Sequence, residues 1–205
     1  MLAKTETTQA ARSTVGAQVL NFITKWGTVL TIILLLVFFS FASPSFLTAS
    51  NLITILRSIS IVTVIAVGVT MSLTVNGFDL SVGTVATLAD ALVISMFVWH
   101  GWSTVPAILV ALLGCLVVAA VNATLIVKFR IPDLLVTLAT MFVFEGVALT
   151  YTGGGSISQG MPRLDGTPTY GVIPASFRMI GQAPWIILIM LAVVALVHIF
   201  LNYTK

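Results

Sequence analysis

The chain has 205 residues, 59% hydrophobic and 7% charged, with a formal net charge of +3. A soluble domain carries about a quarter of its residues as charges, so this composition, with a mean hydropathy of +1.15, excludes one. The apolar residues run in continuous blocks rather than alternating, which excludes a β-barrel, and the nine basic residues are scattered through tails and loops, which excludes a nucleic-acid surface. What remains is an all-α class, a polytopic bundle of transmembrane helices in the lipid bilayer.

Residues 1–25 are polar, carry Lys4, Arg12 and Lys25, and read as a flexible cytoplasmic tail with an amphipathic end. Residues 26–205 then form a transmembrane domain. Trp26 to Ala42 is its first span; a cleaved signal peptide is the runner-up, disfavoured by the long tail and by the lack of a clean small-x-small site after the apolar core. Asn51 is expected to cap the next helix, which carries Arg57 early and spans Ile59 to Val75. Asn76-Gly77 breaks that helix, and Asp79 or Ser81 can accept from the free N–H groups that begin the next one. Val82 to Val98 is the third span, ended by the interfacial group Trp99-His100-Gly101-Trp102. Val105 to Val127 is the fourth, closed by Lys128-Phe129-Arg130. Ile131-Pro132-Asp133 makes a tight turn, Leu134 to Tyr151 is the fifth span, and a Gly- and Pro-rich loop covers residues 152–183. Pro184 to Tyr203 is the sixth.

Six spans put Lys4, Arg12, Lys25, Lys128, Arg130 and Lys205 on one side and Arg57, Arg163 and Arg178 on the other. The excess of basic residues marks the first side as cytoplasmic, with the N-terminus inside.

Ionisable and amide groups at membrane depth are the candidate functional residues, because a carboxylate there costs several kcal/mol, about 2.5–3.5 on insertion scales, unless it is solvated or paired. Asp79 at a helix start serves either as a cap or as a contact for substrate or a moving partner. Asp90, among Leu88, Ala89, Ala91 and Leu92, faces the bundle interior, water or another helix, for pairing or for lining a pathway. Glu145 calls for a buried partner such as Asn122, or for a subunit interface. Asn122 is placed for an interhelical hydrogen bond. Gly114, Ala119, Ala120 and Ala123 permit close helix approach, and the single Cys115 is a packing residue. There is no G-x-x-x-x-G-K-[ST] segment to cradle ATP, and His100 and His198 lack the spacing of metal ligands, so neither an enzyme nor a cofactor is expected.

Three blocks then carry a resemblance to the membrane permeases of the ribose-type family of bacterial ABC sugar importers. Gly77-Phe78-Asp79-Leu80-Ser81-Val82-Gly83 is similar to that family's G-x-D-L-S-V-G signature. Asn122, Leu125, Ile126, Ile131-Pro132, Thr137-Leu138 and Thr140-Met141 match in order, and Tyr151-Thr152-Gly153-Gly154 opens the outer loop. Phe46 and Asn51-Leu52 add a fainter match, and the whole covers residues 44–160. Asp90 and Glu145 depart from the family pattern.

The resemblance implies a transmembrane permease subunit for a monosaccharide or similar small polar solute, in the bacterial inner membrane. It implies a second permease subunit, as homo- or heterodimer, a pair of cytoplasmic ATP-binding subunits, and a periplasmic solute-binding protein. Arg163 and Arg178 in the outer loop are the candidates for docking that binding protein, through bidentate contacts with its carboxylates. Permeases of the family continue past a sixth span into a cytoplasmic coupling segment, so the chain is expected to be a fragment, an N-terminal half, or the product of a split or truncated gene. The rival reading is a proton-coupled secondary transporter using Asp79, Asp90 or Glu145.

Overall fold

The computed structural model describes residues 3–203, with side chains from Leu20 onward. Lys205, and the side chains of Lys4 and Arg12 that entered the charge count, lie outside that description. Seven α-helices occur among the described residues, and no strand: α1 (Ala3–Ala42), α2 (Ala49–Thr74), α3 (Val82–Val98), α4 (Thr104–Ala123), α5 (Asp133–Thr152), α6 (Ala175–Ile180) and α7 (Trp185–Tyr203), with a π-helical turn at Thr124–Lys128 continuing α4. Five helical segments are long and apolar enough to cross a membrane: Leu20–Ala42, Ala49–Thr74, Thr104–Lys128, Asp133–Thr152 and Trp185–Tyr203. The sixth, Val82–Val98, has 17 residues, about 25 Å of helix, at the short end of the spanning range. The polytopic helical bundle expected from composition is the observed architecture.

The chain divides into two compact units, Met1–Thr54 and Ile55–Lys205. In the first, α1 ends at a turn in which the Phe46 N–H bonds the Ser43 carbonyl at 3.1 Å and the rings of Phe39 and Phe46 lie 5.7 Å apart. Thr48, not Asn51, caps α2. The Thr48 hydroxyl accepts the Asn51 N–H at 3.4 Å, while the Asn51 side chain donates back to the Phe46 carbonyl at 2.7 Å. Asn51 falls at the third helical position, where its backbone N–H is the one to be capped, so the cap must precede it by three residues.

In the second unit the core lies between α3, α4 and α5. Val93 and Phe97 of α3 pack with Ala107 and Ala111 of α4, and Leu88, Val118 and Ala148 join all three helices. Gly114 lets α4 approach α3 closely, since a Cβ there would run into the side chain of Leu92. The outer loop folds back on this trio. The rings of Phe177 in α6 and Phe97 lie 4.9 Å apart, and a Cβ on Gly171 would collide with the carbonyls of Phe97 and Val98. By contrast α7 buries no residue and α2 only Ser60. Hydroxyls inside the spans return their protons to the preceding turn, as Ser60 does to Leu56 at 2.7 Å and Thr150 to Gly146 at 2.7 Å. That satisfies them where water is absent.

Candidate functional site

The polar break between α2 and α3 is built in three steps. Asn76 stops α2 by taking the left-handed conformation (φ 57°), with its N–H on the Leu73 carbonyl at 3.1 Å and the Gly77 N–H on the Ser72 carbonyl at 3.0 Å. This is the Schellman closure, with Asn rather than Gly in the left-handed position. The first turn of α5 then holds Phe78 by its backbone. Asp133 accepts the Phe78 N–H through Oδ2 at 2.5 Å and the Leu134 N–H through Oδ1 at 2.9 Å, while the Thr137 hydroxyl donates to the Phe78 carbonyl at 3.2 Å. Asp133 and Thr137, four residues apart, project from one helix face.

Asp79 starts α3. Its Oδ1 accepts both the backbone N–H of Ser81 at 2.8 Å and the Ser81 hydroxyl at 2.6 Å. Ser81 does not cap with its own hydroxyl. That oxygen instead accepts the side-chain amide of Asn122 from α4 at 3.0 Å. Asp79, Ser81 and Asn122 thus form a chain of hydrogen bonds across two helices, with Ser81 and Asn122 buried. The Asn122 Oδ1 is buried without a partner among the described residues.

These groups border a cavity of about 580 Å³, whose polar wall includes Asn76, Asp79, Asn122, Arg130, Asp133 and Thr137. The far side is shaped by the π turn that follows Asn122, in which the Phe129 N–H reaches the Thr124 carbonyl at 3.3 Å and Arg130 takes a left-handed φ of 54°. Such turns widen a helix and aim its side chains off the regular face. The cavity therefore carries donors, acceptors and one guanidinium against an apolar background, as a site for a small polar solute requires.

Asp90 and Glu145 fall elsewhere. Asp90 of α3 and Glu145 of α5 both line a second cavity, of about 210 Å³, together with Thr87 of α3 and Thr152 of α5. Asn122 is committed to Ser81, and it is not the partner of Glu145. Glu145 lines the cavity between α3 and α5, whereas Asn122 meets the start of α3 from α4.

At the outer loop Arg163 is exposed, and its guanidinium donates from Nε at 3.1 Å and from Nη2 to the Trp99 carbonyl just past α3. Arg178, on α6, is exposed. Asp165 accepts the Thr167 N–H at 2.9 Å, and its bonds to Thr167, followed by the charge of Arg163, hold its carboxyl below the usual carboxylate range. Tyr151 shares a hydrogen bond with the buried Ser95 hydroxyl at 2.7 Å and meets Trp99 edge to face at 5.6 Å. Among the described residues no group of three or more His, Cys, Asp or Glu could hold a metal ion.

Asp133, Thr137, Ser95 and Gly171 were not singled out from the sequence as site residues. Pro132-Asp133 at the head of an apolar run is a helix-start signal, and it marks Asp133 as a cap. Nothing local marks its second acceptor as the clamp on Phe78, 55 residues away.

Comparison with known proteins places these residues in a family. The ribose import permease protein RbsC of Bacillus subtilis is 37% identical over 134 residues, 65% of this chain and 41% of that protein. RbsC of Haemophilus influenzae is 29% identical over 179 residues, 86% of this chain and 54% of that protein. The xylose transport system permease protein XylH of Escherichia coli K12 is 31% identical over 128 residues, 62% of this chain and 33% of that protein. The matches thus span between a third and about half of the length of these relatives. No solved structure matched the chain. Residues 51–205, which include the break, the π turn, the Phe78 clamp and the outer loop, match the family described as branched-chain amino acid transport system / permease component, and the chain belongs to that family of membrane permeases.

Proposed function

We propose that this chain is part of the transmembrane permease of a bacterial ABC importer for a monosaccharide or similar small polar solute. The observation that carries the reading is the match of residues 51–205 to a permease family, with relatives named for ribose and xylose. In this reading the chain sits in the inner membrane with its N-terminus in the cytoplasm. A second permease subunit completes the pathway, a separate pair of ATP-binding subunits hydrolyses ATP, and a periplasmic binding protein delivers the solute.

The geometry supplies a working arrangement. Counting passes from a cytoplasmic N-terminus, the Asn76–Ser81 break and the Arg130–Asp133 turn lie at the inner ends of α2, α3, α4 and α5. The 580 Å³ cavity is then the inner part of the solute pathway. Broken helices with satisfied backbone are how a membrane protein lines such a cavity, because unpaired N–H and C=O groups are not tolerated against lipid. The Asp133 and Thr137 bonds to Phe78 couple the break to α5, so a movement of α5 is transmitted to the start of α3. Arg178, exposed on α6 at the outer face, is the docking contact for an acidic patch on the binding protein. Arg163 contributes to docking by holding the loop in place.

The experiment is uptake of ribose and xylose by proteoliposomes holding the complete transporter with its ATPase and binding protein. ATP-dependent uptake, stimulated by the binding protein, is expected. Uptake that needs no ATP and follows an imposed proton gradient would sink the proposal.

A further inference from the structure

The outer end of α3 borders a third cavity, of about 450 Å³, that the transport pathway described above does not use. Met96, Tyr151 and Leu164 give it an apolar wall, while His100, Arg163 and Asp165 supply its polar groups. Trp99 belongs to the same wall. It is only 8% exposed, and its indole N–H is buried without a partner among the described residues. A buried donor without an acceptor is destabilising.

We infer that this cavity is a receiving site for a neutral vicinal diol, the hydroxyl pair of a sugar, at the outer mouth of the protein. A hydroxyl both donates and accepts, whereas a guanidinium only donates and a carboxylate only accepts. Arg163 uses two N–H groups on the Trp99 carbonyl and keeps three more, and the Asp165 carboxylate, which takes the backbone N–H and the side chain of Thr167, has lone pairs beyond those two bonds. Donor and acceptor therefore stand side by side, as two neighbouring hydroxyls require. The two charges cancel, so the site attracts neither an anion nor a cation as such. Tyr151, fixed through Ser95, offers a ring edge and face to the C–H side of a sugar, and amphipathic aromatic surface suits such ligands.

This inference rests on the permease reading and extends it to an outer subsite for the same class of solute. It is tested on the whole chain in detergent, with Trp26, Trp102 and Trp185 replaced by Phe so that Trp99 is the reporter. D-ribose is expected to change Trp99 emission saturably in the millimolar range, and 1,5-pentanediol, which has no vicinal hydroxyls, is expected to leave it unchanged. Asp165→Asn keeps an acceptor for Thr167 but turns Oδ2 into a donor, and it should raise the dissociation constant roughly tenfold. Absence of a saturable change, an equal response to the diol, or an unaltered constant in Asp165→Asn would each overturn the inference. Parallel uptake by the assembled transporter separates the two ideas. Ribose uptake without Trp99 binding removes the outer subsite and leaves the permease reading, whereas Trp99 binding without uptake of any sugar does the reverse.

Discussion

Asp79→Ala removes the acceptor on which the start of α3 depends. In the native arrangement one carboxylate oxygen takes two protons from Ser81, the backbone N–H at 2.8 Å and the hydroxyl at 2.6 Å. Ser81 is 1% exposed, so water cannot replace the lost acceptor. An unsatisfied buried N–H costs about 1–3 kcal/mol, and loss of the charge-assisted hydroxyl bond adds about 1, for a total of about 2–4 kcal/mol. Asp79→Asn keeps a carbonyl oxygen in the same place and loses only the charge assistance, about 1 kcal/mol. The assay is reversible unfolding of the detergent-solubilised chain by SDS titration, on both variants and on Asn122→Ala. Asn122 meets Asp79 only through Ser81, so the Asp79→Ala/Asn122→Ala cycle should show a coupling of about 0.5–3 kcal/mol. Equal destabilisation by Asn and Ala would refute the reasoning, because charge and not the placed acceptor would then be the quantity that matters.

Asp133→Ala should lower stability in the same titration more than Asp133→Asn does, since it releases the Phe78 and Leu134 N–H groups where water can partly replace the carboxylate; equal stabilities would dissolve the clamp. Gly171→Ala forces a methyl into the Phe97 and Val98 carbonyls, so the outer loop must lift at a cost of about 1–3 kcal/mol. Limited proteolysis should cut residues 153–174 faster in this variant, and unchanged protection would contradict the fit. For orientation, in a Cys115→Ala background, Ser156→Cys should react with an impermeant thiol reagent from outside and Phe129→Cys should not; the reverse pattern would invert the assignment of both ends.

The class, the six apolar segments and the position of the break were legible in the residues alone. A span needs about 20 apolar residues whose backbone bonds are made within the segment, and a helix is stopped by Asn-Gly and restarted beside Asp or Ser. These are local requirements, so local sequence displays them. The pairings between helices were not legible. Helices apolar on nearly every side carry no periodic signal of which face turns inward, and rotation about the helix axis decides which polar groups meet. Asn122 could therefore be assigned a hydrogen bond, but not Ser81 rather than Glu145 as its partner. Asp133 reads as a helix start, and only the packing of α5 beside the break gives it Phe78. Asp90 and Glu145 lie 55 residues apart in the chain, and only the packing of α3 against α5 brings them to one cavity. The outer loop shows the same division: its Gly and Pro content announced a loop, while the close fit of Gly171 on the carbonyls of α3 fixed where it lies. Sequence determined what each segment must satisfy within itself, and tertiary packing alone decided which distant group satisfies the remainder.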